Sequence, residues 1–217
     1  MDQSLFHLIN QQWTSPALDL FMAALSDPQV WLPLFVALVL YALIWGGFKG
    51  RAFLLCLAIT LLISEGVVVQ GLKKAIGRQR PKQAETVRLV QLAPTRPKFL
   101  SLLQPPRVHS SAAWQRREEG HGNSFPSAHT VNNFVAATFL VLFFRPWGWL
   151  YSPVAAMISY SRIYLGAHWP SDVVISAFLA VGMAFLFVML FEWIWQWAGR
   201  RWLPEIFSRH PRIIAAK

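Results

Sequence analysis

The chain is short of acid, of cysteine and of polar sequence. Only 14% of its 217 residues are charged, and it has 10 Asp and Glu against 20 Lys and Arg. The single cysteine, Cys56, excludes an internal disulfide; it lies in an apolar run and says nothing of compartment. No polar stretch is long enough for a second, soluble domain. The longest, from Arg78 to Phe125, is too short and irregular to build its own core. The opening Met-Asp-Gln-Ser lacks the basic flank of a signal peptide, so cleavage is not expected. No internal repeat is visible. The net charge of +10 has no basic soluble face to carry it. Nucleic acid is therefore not an expected partner, whereas membrane lipids and a phosphate-bearing substrate are. Oligomeric state is not legible.

What the chain has in quantity is apolar sequence: 55% of residues are hydrophobic and the mean hydropathy is +0.39. This is the composition of an integral membrane protein. Residues 4–26 read as two amphipathic pieces broken at Ser15-Pro16. In the second, Leu18, Phe21, Met22 and Leu25 share one helical face and Asp19 lies off it. Neither piece is long and apolar enough to span, so residues 1–28 are expected to be interfacial helices.

Five spanning runs follow: about Val30–Phe48, Ala52–Leu72, Pro126–Phe144, Leu150–Leu165 and Pro170–Trp197. Lys49-Gly50-Arg51 reads as a tight basic turn. Glu65 and Gln70 lie at membrane depth, where hydrogen bonds to neighbouring helices would satisfy them. The loop 78–125 is outside the membrane, with a short interfacial helix expected around Phe99–Leu103. Residues 198–217 form a basic tail. The expected fold is all-α: a single-domain polytopic membrane bundle of five to six helices, with an N-terminal interfacial helix and a long outward-facing loop.

Four polar clusters stand at the ends of these runs. Lys73–Arg80 ends the second, Ser127 and His129 open the third, Arg162 ends the fourth, and His168 and Asp172 open the fifth. Successive spans alternate in direction, so all four clusters emerge on one membrane face. Charge so close to a bilayer is costly and marks function. The opposite face has Lys49, Arg51, Arg145 and the tail, and the positive-inside rule makes it cytoplasmic.

Lys73, Arg80 and Arg162 supply three cations suited to phosphate oxygens. Pro126-Ser127-Ala128-His129 begins a helix, where free N–H groups and the dipole favour an anion. Asp172, one turn after His168, is placed to accept its imidazole N–H and leave the other ring nitrogen as a nucleophile or base. The plainer alternative is a capping Asp, a loop His and a snorkelling Arg. His129 would protonate the leaving oxygen and then activate water. Carboxylates are too few for a magnesium cage, and the nearby cations oppose a zinc site from His121, His129 and His168. No metal or other cofactor is expected. Asn132 and Asn133 share a face with His129 and would orient it or bridge helices. His121 and Glu118-Glu119 read as a solvated loop.

Lys73-x6-Arg80-Pro81, Pro126-Ser127-Ala128-His129 and Ser161-Arg162-x5-His168-x3-Asp172 resemble, in order, the three-part signature of the type 2 phosphatidic acid phosphatase superfamily. The resemblance covers about residues 73–172. It implies a metal-independent phosphatase working through a phosphohistidine. His168 matches the nucleophile, Asp172 its partner and His129 the general acid. Lys73, Arg80, Ser127 and Arg162 match the phosphate ligands, joined by the backbone of Ala128, where the family usually has glycine. Bacterial membrane lipid phosphatases are the nearest in kind. Trp114–Gly120 is similar to a loop of phosphatidylglycerophosphate phosphatases that also accept undecaprenyl pyrophosphate. Undecaprenyl pyrophosphate, handled on the outer side of the cytoplasmic membrane, is the favoured substrate. Phosphatidylglycerophosphate, phosphatidic acid and lipid A phosphate are alternatives, as are lipid phosphotransfer and, without catalysis, anion or lipid transport. A lateral opening lined by Phe134, Phe139 or Ile163 would admit a lipid.

Overall fold

The computed structural model describes residues 1–111 and 123–214. Trp114–Gly120, with Glu118 and Glu119, and His121 lie outside the described residues, as does the terminal Lys217.

Helix starts follow local chemistry. Helix α1, Asp2–His7, continues as a π-helical turn, Leu8–Gln12. Ser15 caps α2, Pro16–Ser26, by accepting the Leu18 N–H, with Pro16 in the first turn. Asp27 does the same for α3, Pro28–Trp45, by accepting the Gln29 N–H at 3.0 Å. The turn into α4, Gly47–Ile63, is made by Gly46 and Gly47, the latter at φ +58°. Lys49-Gly50-Arg51 is therefore not the turn. It is the first turn of α4, and Arg51 Nε caps the Leu43 carbonyl of α3 at 2.9 Å. A π-helical stretch, Ser64–Val69, joins α4 to α5, Gln70–Ile76, which ends at left-handed Gly77.

The segment expected to be irregular has structure. A short helix α6, Pro81–Ala84, precedes β1, Val87–Gln91, which pairs antiparallel with β2, Arg107–Ser111, with Leu89 opposite His109. A 3₁₀ turn, Lys98–Leu103, lies where the short helix was expected. The bundle is completed by α7, Ala128–Phe143, α8, Tyr151–Tyr164, α9, Pro170–Trp202, and α10, Pro204–Arg209. Helix α9 thus runs past Trp197 and takes Arg200 and Arg201 out of the expected tail.

Among the described residues, three helical runs are long and apolar enough to cross a membrane: Pro28–Trp45, Gly47–Ala84 and Pro170–Trp202. Helices α7 and α8 have 16 and 14 residues, against about 20 needed for the hydrocarbon core. Polar site residues occupy their ends and shorten the apolar stretch. Helix α7 is central. Val131, Val135, Phe139 and Phe143 recur every four residues and are all buried, against Phe53 of α4 and Ala180, Ala184 and Val188 of α9. A second core joins Phe6, Ile9 and Met22 of the N-terminal helices to Val87 and Leu89 of the hairpin and to Ile163, Tyr164, Trp169 and Val173. Phe139 and Ile163 are thus core and line no opening.

Helix α2 does not bury its whole apolar face, although Met22 packs in the second core. Leu18 and Phe21 are exposed, whereas Asp19 is buried and accepts from Tyr164 Oη at 2.6 Å and Arg88 Nη2 at 2.5 Å. Around a lipid-facing bundle the polar side turns inward, because only protein can satisfy it.

Candidate active site

The end of α8 explains the spacing between Arg162 and His168. The Arg162 carbonyl accepts the N–H groups of Ala167 at 3.0 Å and His168 at 3.2 Å, folding the chain back through Gly166 at φ +73°. His168 is thereby set beside the end of the helix that carries Arg162. Proline at the first position then starts α9, and Asp172 accepts the Trp169 N–H at 3.2 Å. The end of α5 is pinned to the same place, since Trp169 Nε1 donates to the Gln79 carbonyl at 2.9 Å. Ser124 N donates to the Arg78 carbonyl at 2.9 Å and brings in the approach to α7.

His168 and Asp172 are together but not bonded as expected. Their closest approach, Nδ1 to Oδ2, is 4.0 Å, too long for a hydrogen bond. Nδ1 lies 2.6 Å from the Ser124 carbonyl instead. A carbonyl only accepts, so Nδ1 carries the proton and Nε2 keeps its lone pair. Asp172, 0% exposed, acts one step back. It accepts from Ser124 Oγ at 2.5 Å and from Arg78 Nη1 at 2.5 Å. The first bond fixes the residue whose carbonyl fixes the ring. Burial first, then the Arg162 and Arg80 guanidiniums, holds the His168 imidazole well below its ordinary range. The ring is neutral at neutral pH.

Lys73, Arg80 and Arg162 all act electrostatically on both His168 and His129. The four sequence clusters therefore form one site. Arg162 Nη1 donates to Ser26 Oγ, and the His129 ring lies against the Ser26 backbone. Arg162 Nε is buried without a partner among the described residues, an expensive condition unless an anion completes it. Ser127 caps α7, its oxygen accepting from Thr130 N and Thr130 Oγ1, so its own hydroxyl hydrogen remains to donate. Its N–H is taken by Ser176 Oγ at 2.9 Å. The N–H groups of Ala128 and His129, first in the helix, are the donors left for an anion. Among the described residues no His, Cys, Asp and Glu grouping could hold a metal ion.

Asn132 donates to Glu65 Oε2 at 2.8 Å, so these two bridge helices. Asn133 donates to the His129 carbonyl and accepts from Tyr151 Oη; it braces the helix rather than the ring. Ser124, Arg78, Asp2 and Ser26 were not legible as site residues. Arg78 was hidden in a run of cations, and a serine or an N-terminal aspartate carries no local signal of its distant partner.

Residues 51–196 match the model of the PAP2 superfamily. The chain belongs to the PAP2 superfamily. Over 184 residues it is 28% identical to a lipid A 4'-phosphatase of Bacteroides thetaiotaomicron, covering 81% of this chain and 71% of that protein. An undecaprenyl-diphosphatase of Sulfolobus acidocaldarius is 37% identical over 68 residues, 31% of this chain and 33% of that one. The crystal structure of Aquifex aeolicus LpxE superposes with a TM-score of 0.59 at 25% identity, covering 87% of this chain and 94% of that chain. This PAP2 protein is thus a multi-pass membrane lipid phosphatase, a hydrolase of phosphoric esters.

Proposed function

We propose that this PAP2 phosphatase removes a phosphate group from a lipid through a phosphohistidine on His168. The observation that carries the reading is the His168 ring itself: Nδ1 is held by the Ser124 carbonyl, and Nε2 is left bare in a field of three cations. Nε2 attacks phosphorus, the phosphorus–oxygen bond to the lipid breaks, and His129 gives a proton to the departing oxygen. His129 then takes a proton from water, whose oxygen displaces the phosphoryl group from Nε2 as inorganic phosphate. Lys73, Arg80, Arg162, the Ser127 hydroxyl and the N–H groups of Ala128 and His129 stabilise charge on the equatorial oxygens. Asp172 keeps Ser124 in place and stands as a counter-charge to the ring.

The substrate we favour is a lipid A-type phosphomonoester. The lipid A 4'-phosphatase relative matches across 81% of the chain, whereas the undecaprenyl-diphosphatase relative matches 31%. Undecaprenyl pyrophosphate is the second reading, favoured by that relative. The chain acts as one unit with its site on the outer side of the bacterial cytoplasmic membrane, residues 78–125 around it and 198–217 on the cytoplasmic side. Supporting this, Lys49 lies over Phe144 and His210 stacks on Phe48 at the end of the bundle away from the site. A phosphate-release panel of purified protein with lipid A, undecaprenyl pyrophosphate, phosphatidylglycerophosphate and phosphatidic acid tests the substrate. Lipid A is expected to give the highest kcat/KM. A maximum on undecaprenyl pyrophosphate selects the second reading, and no release from any of them rejects lipid phosphatase action.

A further inference from the structure

The N-terminal helices reach the site at a carboxylate that the mechanism above does not use. Asp2 Oδ2 accepts from Arg78 Nη2 at 2.6 Å and from Ser171 Oγ at 2.7 Å, and Oδ1 accepts the Ser171 N–H at 2.9 Å. Arg78 Nη1 in turn bonds Asp172 Oδ1 at 2.5 Å and Ser171 Oγ at 2.8 Å. Arg78 therefore stands between two carboxylates. Asp172 then meets Ser124 Oγ at 2.5 Å, and the Ser124 carbonyl meets His168 Nδ1 at 2.6 Å. The chain of contacts from Asp2 to the nucleophile is unbroken.

Asp2 is not a loose terminus swept against a cation. Helix α1 is anchored by Phe6, fully buried with its ring 5.2 Å from that of Trp169. Asn10 donates to the carbonyls of Arg88 at 2.8 Å and Tyr164 at 2.7 Å. The burial of the Asp2 carboxyl, which opposes ionisation, is outweighed by the two Ser171 bonds and Arg78, so its pKa lies below the ordinary value.

We propose that Asp2 is a positioning residue for phosphoryl transfer, acting through Arg78 on the Asp172–Ser124–His168 chain. The inference rests on the reading of His168 as nucleophile. Alone, Arg78 would draw Asp172 toward itself and neutralise it. Asp2 shares that cation and leaves Asp172 enough negative charge to hold the Ser124 hydroxyl. It also supports the positive ring that forms when Nε2 bonds to phosphorus. The same acid fixes the direction of the Arg78 fork, because each terminal nitrogen has its own carboxylate. A helix cap would need only the bonds from Ser171 N–H and Oγ. The further bond from Arg78 to Oδ2 is what a purely structural role leaves unexplained.

The test uses full-length protein in detergent micelles, with lipid A or the most active lipid of the panel as substrate. Asp2→Asn keeps the shape and removes the charge. Its kcat and its rate of phosphoenzyme formation should fall about tenfold, the factor carried by one lost charge-assisted hydrogen bond. KM should stay within about twofold. Ser171→Ala, which leaves the Asp2–Arg78 pair intact, should lower kcat by less than Asp2→Asn does. An unchanged kcat in Asp2→Asn, or a change confined to KM or thermal stability, overturns the proposal. Should Asp2→Asn not fold, Asp2→Ser, which also removes the charge, takes its place, and an unchanged kcat in it overturns the proposal. His168→Ala run in parallel separates the two readings. Retained activity there removes the phosphohistidine, whereas a dead His168→Ala beside a fully active Asp2→Asn removes only the role of Asp2.

Discussion

His168 is a buried histidine whose tautomer is set by a backbone carbonyl rather than a carboxylate, and this has a consequence in pH. Its imidazole pKa lies well below the ordinary 6.5, so the ring stays neutral as pH falls through that value. The acid limb of kcat/KM should therefore lie well below pH 6.5; a limb at 6.5 would contradict the burial argument. The stability effect has the opposite practical sense. The unfolded histidine takes up a proton below about 6.5 and the folded one does not, so folding stability contributed by this group is present above that pH and lost as pH falls below it. The three motif blocks were legible from residue type and spacing together, and the structure brings Lys73, Arg80 and Arg162 within electrostatic reach of His129 and His168. The 4.0 Å gap between His168 and Asp172 was not legible, because helical spacing places two residues as neighbours without saying which polar atom intervenes. Here it is Ser124, forty-four residues away in sequence.

At the scale of elements, α7 was readable from its four-residue spacing of buried Val131, Val135, Phe139 and Phe143. Helix α2 was read as an interfacial helix with Asp19 off its apolar face; Leu18 and Phe21 are exposed, and what was not legible is that Asp19 is buried. Asp19 is buried because Arg88 and Tyr164 wait for it. The hairpin was missed because Val87–Gln91 is short and its partner lies sixteen residues on, with no turn motif between. Asn10 ties these elements together, donating to Arg88 and Tyr164 carbonyls and accepting the Arg88 N–H at 3.0 Å. Asn10→Ala leaves those backbone groups unpaired and should cost about 3 kcal/mol, on the scale of one to two orphaned buried polar groups. Thermal unfolding in detergent measures it, and an unchanged melting temperature would show that α1 is not held by this residue.

The whole molecule is a membrane bundle with its chemistry gathered at one end. The short helices α7 and α8 and the long α9 share that end through Ser124, Arg162 and His168. In a Cys56→Ser background, Ser110→Cys on the hairpin should react with a membrane-impermeant thiol reagent added outside intact cells, and Arg209→Cys on α10 should not. The reverse pattern would place the site on the cytoplasmic side. The proposed phosphoryl transfer places a covalent phosphoryl group on one nitrogen. Rapid quenching of the His129→Ala protein in alkaline denaturant with phosphorus-labelled substrate, followed by peptide mapping at alkaline pH, tests this most directly. The expected result is label on His168, stable to base and lost in acid, and absent from the His168→Ala protein. Label on another residue, or phosphate release at the wild-type rate by His168→Ala, would contradict it.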